Sequence, residues 1–273
     1  MSEEVPVKEN RIVKAMRELG IHHKESERAS WMLNMLVGRR KARRQRDYDP
    51  NAKDLDHFFE FALPRVKDAQ GQLLQDLWAL FELGEKHGGY FVEFGATNGI
   101  TMSNSHILEK HYGWRGIVAE PNPEYHDRLA RERDCIISHK CVYSKTGEKM
   151  TFLCTEKAMF SRLEAINPED HNEEAKRQNP NEIQVETISL DDLLDEHGAP
   201  DEIDYMSVDT EGSELEILNA FDFSRRRVKL FTIEHNFTDL RGQIYDLMTS
   251  KGYVRRHPEY TRFDDWYIHS DLA

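Results

Sequence analysis

Cysteine is scarce in this sequence: Cys135, Cys141 and Cys154 are the only three in 273 residues. An odd number without metal-ligand spacing excludes a disulfide framework or a cysteine-built zinc site, and it leaves the three as core residues in a reducing setting. Long apolar runs are missing too. Nothing approaches the roughly 18 consecutive apolar residues of a membrane span, and the mean hydropathy is -0.74, so membrane insertion is excluded. No apolar stretch after Met1 resembles a signal peptide, and the expected location is the cytoplasm. Positive charge is in deficit, with 37 Lys and Arg against 50 Asp and Glu. The imbalance is local: residues 1–89 hold 16 basic against 15 acidic residues, and residues 90–273 hold 21 against 35. A phosphate backbone needs cationic surface, so no nucleic-acid partner is expected. The one basic run, Arg39-Arg40-Lys41-Ala42-Arg43-Arg44-Gln45-Arg46, has no interleaved aromatics and reads as a solvated or partner-docking face.

What is present divides at about residue 70. Before it, Ile12, Val13, Met16 and Leu19, and then Trp31, Met32, Met35 and Leu36, recur at helical spacing and stop at Gly20 and Gly38. Residues 1–69 are therefore expected to form a helical extension, which offers a surface for homo-oligomerisation. Residues 70–273 are expected to form the main domain. After a helix carrying Leu73, Leu77, Trp78 and Phe81, short apolar runs alternate with helical stretches from Tyr90 onward, which predicts a doubly wound parallel sheet with crossover helices. Strands are expected at Tyr90 to Phe94, Gly116 to Ala119, Cys135 to Ser138, Tyr205 to Val208 and Val228 to Ile233. An antiparallel pair near Tyr253 to Arg256 and Arg262 to His269 closes the chain. A polar stretch, Thr155 to Glu182, interrupts the pattern, with a short helix expected near Glu173; loops of this length often cover a site.

Ligands of open α/β sheets bind beyond the carboxyl ends of the strands, so the residues just after each strand carry most weight. The first strand ends in Glu93-Phe94-Gly95-Ala96-Thr97-Asn98-Gly99. The glycines let the backbone turn sharply and approach a ligand. The adjacent carboxylate would repel a pyrophosphate, and the dinucleotide fingerprint G-x-G-x-x-G is absent, which argues against an NAD-dependent oxidoreductase. A carboxylate there suits a cationic sulfonium and amino acid group. The second strand ends in Glu120, placed to accept from both hydroxyls of a ribose, and Pro121-Asn122-Pro123 starts the following helix.

Together with Thr187-Ile188-Ser189-Leu190-Asp191-Asp192-Leu193-Leu194 and Asp204-Tyr205-Met206-Ser207-Val208-Asp209-Thr210-Glu211-Gly212-Ser213-Glu214, these blocks resemble, in order, those of the FkbM family of methyltransferases. The resemblance covers roughly residues 70–268. It implies the class I methyltransferase fold, a Rossmann-like, mostly parallel seven-stranded sheet with helices on both faces, to which the N-terminal helices add an extension. It also implies S-adenosylmethionine as methyl donor and O-methylation of sugars or other small hydroxyl acceptors. Carried over by position, it sets Glu93, Gly95 and Asn98 around the methionine portion, Glu120 on the ribose, and Val142, Tyr143 and Ser144 near the adenine. Ala96, Gly99, Asn122 and Asp209 complete the expected cofactor set. The family often has aspartate at the Glu93 position, so here the carboxylate has a longer reach.

A hydroxyl acceptor loses a proton as it takes a methyl group, so a base or an acidifying metal is expected nearby. His235 is the expected base, with Asp209 and Glu211 as further catalytic carboxylates; the alternative is a His235 that only orients its neighbours. Asp209, Glu234 and Asn236 offer oxygen ligands for Mg²⁺. Met159, Phe160, Ser161 and Arg162, in the long polar stretch, are the expected acceptor contacts. The acidic main domain favours a neutral sugar over an anionic one. The rival reading is a methyltransferase-like domain that binds without catalysing.

Overall fold

The computed structural model describes residues 50–155, 161–166 and 180–273. The two helices expected before Gly38, the basic run Arg39 to Arg46, Met159, Phe160 and the helix expected near Glu173 lie outside the described residues. The chain divides into two compact units, Met1–Ala69 and Gln70–Ala273. In the first, helix α1 spans Pro50–Ala62 and runs into a single 3₁₀ turn, Leu63–Arg65. The Arg65 guanidinium folds back onto the Phe61 carbonyl at 2.8 Å and lies over the Phe61 ring.

The second unit opens with α2 (Gln75–Glu82), where Leu74 takes a left-handed conformation, φ 66°, and so delays the helix to Gln75. There follow β1 (Tyr90–Phe94), α3 (His106–Tyr112), β2 (Arg115–Ala119), α4 (Pro123–Glu132) and β3 (Ile136–Ser138). Next come four strands that leave the main sheet: β4 (Cys141–Tyr143), β5 (Lys149–Cys154), β6 (Arg162–Leu163) and β7 (Asn181–Ser189). The chain then returns through α5 (Leu190–Glu196), β8 (Glu202–Val208), α6 (Glu214–Ala220), β9 (Arg227–Glu234), α7 (Leu240–Ser250), β10 (Tyr253–Arg256) and β11 (Asp264–His269).

The main sheet has seven strands in the order β10-β11-β9-β8-β1-β2-β3. Strands β3, β2, β1, β8 and β9 are parallel, and β11 runs antiparallel to both β9 and β10. The chain thus winds outward from β1 through β2 to β3 and restarts on the other side at β8. Strand order reverses between β1 and β8, and their carboxyl ends frame a crevice. This is the class I methyltransferase arrangement, and the closing antiparallel pair falls where the sequence pattern sets it.

The core follows from the same alternation. Val92, Ile117, Met206 and Phe231 of the sheet pack with Leu193, Leu194, Ile217, Leu218, Ile244 and Met248 of α5, α6 and α7, all with 0 or 1% exposure. Burying each such side chain contributes about 1.5–3 kcal/mol before entropy is counted. Trp78 of α2 packs against Trp266 of β11, ring centroids 5.0 Å apart and planes tilted by 32°. Among the described residues no helix is long and apolar enough to cross a membrane. Cys141 is buried and Cys135 and Cys154 are half-buried, all as free thiols.

Sequence pattern did not anticipate the second sheet, ordered β4-β7-β5-β6. Its outer members are short: β4 is three residues long and β6 two. Strands that short show no period, and their existence depends on pairing with β7 and β5.

Candidate active site

A cavity of about 400 Å³ lies at the carboxyl ends of β1, β2, β8 and β9, within the range of small-molecule sites. Gly95, Glu120, Val142, Asp209, Glu211, Glu234, Asn236 and Ser161 line it, as do Thr97 and Phe237, which the sequence reading missed. A signal for the last two exists in the backbone: Thr97, Glu211, Asn236 and Phe237 all have positive φ, between 45° and 58°. Strained non-glycine residues gather at functional sites, but this conformation is not visible in a sequence.

Gly95 is required at the β1 turn. Its φ is 72°, and a Cβ there would come within 2.2 Å of the Asp209 carbonyl oxygen. The turn after β1 is therefore pressed against the end of β8, which brings the two sides of the crevice together. Glu120 faces the cavity from the end of β2, its two oxygens accepting from Thr97 N at 2.9 Å and Asn122 N at 2.8 Å. Each oxygen keeps a lone pair for a further donor. Burial pushes the Glu120 carboxyl up to about 7.

Several expected cofactor residues shape the site from behind. Glu93 is buried beneath the loop after β1, where it accepts from Ser103 Oγ at 2.9 Å, from Asn104 N at 2.6 Å and from Ser105 Oγ. Arg133 stands 3.5 Å from Glu93 and bonds Glu109 at 2.7 Å and the Gly99 carbonyl at 3.2 Å. Glu93 is not among the residues lining the cavity; its longer reach is used inside the protein. Asn98 Oδ1 accepts from Ile100 N and Thr101 N, closing its own turn, and Asn122 caps α4 by accepting from Glu124 N. Ala96, Gly99, Tyr143, Ser144 and Arg162 also lie off the lining.

Three carboxylates meet at the ends of β8 and β9: Asp209, Glu211 and Glu234 each place an oxygen within 4.8 Å of the others. Asp209 hydrogen-bonds Glu234, and burial, with the neighbouring carboxyl charges, drives both groups upward from their ordinary values. Asn236 donates to Glu211 at 3.3 Å. Glu214, absent from the expected set, accepts from Thr210 N, Thr210 Oγ1 and Gly212 N and holds the turn that presents Glu211.

His235 stands differently from the expected base. Its Nδ1 accepts from Phe237 N at 3.1 Å, so the neutral ring carries its proton on Nε2 and has no free lone pair to offer. Burial lowers its pKa, which keeps the ring neutral. His235 lines a second cavity, of about 380 Å³, rather than the first, and its Nε2 stands 3.8 Å from an Asp265 oxygen.

The family description "Methyltransferase FkbM domain" matches residues 93–255, more than half of the chain. The chain belongs to the FkbM methyltransferase family. Membership implies S-adenosylmethionine as the methyl donor. Solved structures similar to this FkbM methyltransferase include the precorrin-6y C5,15-methyltransferase of Geobacter metallireducens GS-15, 17% identical, with a TM-score of 0.36 over 71% of this chain and 85% of that one. A point mutant of MtNAS is 13% identical, with a TM-score of 0.34 over 94% of this chain and 79% of that one. No curated protein matches.

Proposed function

We propose that this FkbM methyltransferase moves a methyl group from S-adenosylmethionine to a hydroxyl of a sugar or related small acceptor. The observation that carries the reading is Glu120, buried at the end of β2, facing the cavity and keeping an acceptor site on each oxygen. In the proposal Glu120 takes the ribose hydroxyls, Gly95 lets the donor lie against the β1 turn, and Val142 borders the adenine end. The donor supplies a methyl carbon made electrophilic by the sulfonium.

The acceptor oxygen attacks that carbon, the carbon–sulfur bond breaks with its electron pair left on sulfur, and the hydroxyl proton must pass to the protein. Asp209 is the proposed base. Its carboxyl is raised toward the working pH by burial beside Glu234, so it can take a proton that a surface aspartate would hold too weakly. Glu211 orients the acceptor.

Mg²⁺ is a second reading, favoured by the oxygen-only cluster of Asp209, Glu211 and Glu234. Full activity in EDTA would remove it. Residues 1–69 are proposed as an extension of the chain outside the catalytic domain, with Ser161 and Arg162 on the acceptor side.

Calorimetric titration of S-adenosylmethionine and S-adenosylhomocysteine into the wild type and Glu120→Ala tests the cofactor site without an acceptor. Micromolar binding that weakens by about 10-fold to 100-fold in the variant is expected for two lost charge-assisted hydrogen bonds. No binding to the folded wild type would favour a non-catalytic module.

A further inference from the structure

The second cavity shares Glu211, Glu234 and Asn236 with the first, so the two adjoin at these residues, at an end of the site with its own chemistry. That end is acidic. Glu211, Glu214, Glu216, Glu234 and Asp239 face it, and among the described residues that line it there is no lysine or arginine. Glu214 is consumed by the turn at Thr210 and Gly212. Glu216, Glu234 and Asp239 have only His235 beside them as a basic side chain, and its Nε2 stands 3.8 Å from an Asp265 oxygen.

The cavity also faces polar atoms without partners. Glu234 Oε2 makes no hydrogen bond, and its residue is only 8% exposed. Glu216 Oε2 is likewise buried and unpartnered. A buried carboxylate oxygen without a donor is costly. The nearby guanidinium of Arg241 is tied to Asp265 at 2.8 Å. What the cavity lacks is a compact positive charge with several hydrogens to donate.

We infer that the acceptor carries a protonated amine, seated in the second cavity between Glu234 and Glu216, on the same small molecule as the hydroxyl that is methylated. This rests on the methyl-transfer reading and replaces the neutral sugar with an amino sugar or amino alcohol. A neutral polyol could bond these carboxylates but would not offset their charge. A divalent cation would engage Asp209, Glu211 and Glu234 and leave Glu216 unanswered.

The test uses the full chain loaded with S-adenosylhomocysteine, titrated by calorimetry with amine and hydroxyl pairs: glucosamine against glucose, and ethanolamine against ethylene glycol. The amine of at least one pair is expected to bind about tenfold or more tighter at low salt, the value of one charge-assisted contact. The advantage should shrink as salt is raised and should largely vanish in Glu216→Gln. Glu216 does not line the first cavity, so this variant should keep its affinity for S-adenosylhomocysteine. Equal affinities within both pairs would overturn the inference, as would an amine advantage that Glu216→Gln leaves intact. Tight binding of Mn²⁺ that displaces the amine would overturn it in favour of a metal. Failure of the wild type to bind S-adenosylhomocysteine would sink the methyl-transfer reading, and the inference with it.

Discussion

Two acidic regions of this methyltransferase, barely a loop apart, treat buried charge in opposite ways. Beneath the loop after β1, Arg133, with a fully buried side chain, is surrounded by Glu93, Glu109, Ser103, Ser105 and the Gly99 carbonyl, which together take up its charge and its hydrogens. At the ends of β8 and β9, Asp209, Glu211 and Glu234 face one another, and no lysine or arginine is among the described residues that line their cavity. The first region is complete without a ligand and makes the β1 turn rigid. The second is complete only when a proton, the donor's sulfonium, an amine or a metal supplies positive charge. Preorganised groups aimed at charge that arrives with the ligand are what a transfer site requires, and the fold bears their repulsion until then.

The largest effect is expected where the comparison is sharpest. Arg133→Met should cost about 3–5 kcal/mol in urea unfolding, because Glu93 and Glu109 would then be buried without a counter-charge. A cost under about 1 kcal/mol would mean that the rear network is no more essential than surface pairs. Glu234→Gln should act with the opposite sign. Removing one of three mutually repelling carboxyls is expected to stabilise the ligand-free protein at pH 8 by about 1 kcal/mol. It should also slow methyl transfer by about 100-fold or more, since Asp209 loses the partner that tunes it. A destabilised Glu234→Gln would show the cluster to be structural and would break the contrast.

Much of this was legible in the sequence. Strand ends are marked by where apolar runs stop, so Glu120, Asp209 and Glu234 could be assigned to the crevice without coordinates. Which carboxylate faces the ligand could not be read. Glu93 and Glu120 both follow an apolar run, and only the packing of Arg133, some 40 residues after Glu93 in sequence, turns Glu93 inward. His235 shows a different limit: its place at the end of β9 was legible, but its tautomer is set by one backbone N–H, that of Phe237. The second sheet was hidden because β4 and β6 are too short to carry a period. The acidic second cavity was hidden because Glu216 comes from α6 whereas Glu234 and Asp239 come from the end of β9 and the residues after it.

A third effect divides the two regions by pH. Burial raises Glu109, but the charge and hydrogen bonds of Arg133 outweigh it, and its pKa is lowered overall. A lowered carboxyl stabilises the fold above its unfolded value, near 4.5, and loses that contribution only as pH falls through the folded value. Glu120, raised by burial to about 7, behaves in reverse. Its protonated form belongs to the folded state, so stability is greatest below the unfolded value, declines as pH rises toward 7, and levels off above it. The ligand-free protein should therefore lose on the order of 1–3 kcal/mol between pH 6 and pH 8, read as a falling Tm in thermal melts. The fall should be smaller with S-adenosylmethionine bound, because ribose hydroxyls donating to Glu120 favour its ionised form, and affinity for the donor should rise over the same interval. A Tm that stays level or rises from pH 6 to pH 8 would mean that the crevice carboxyls are already neutralised by the protein, and the difference between the two regions would disappear.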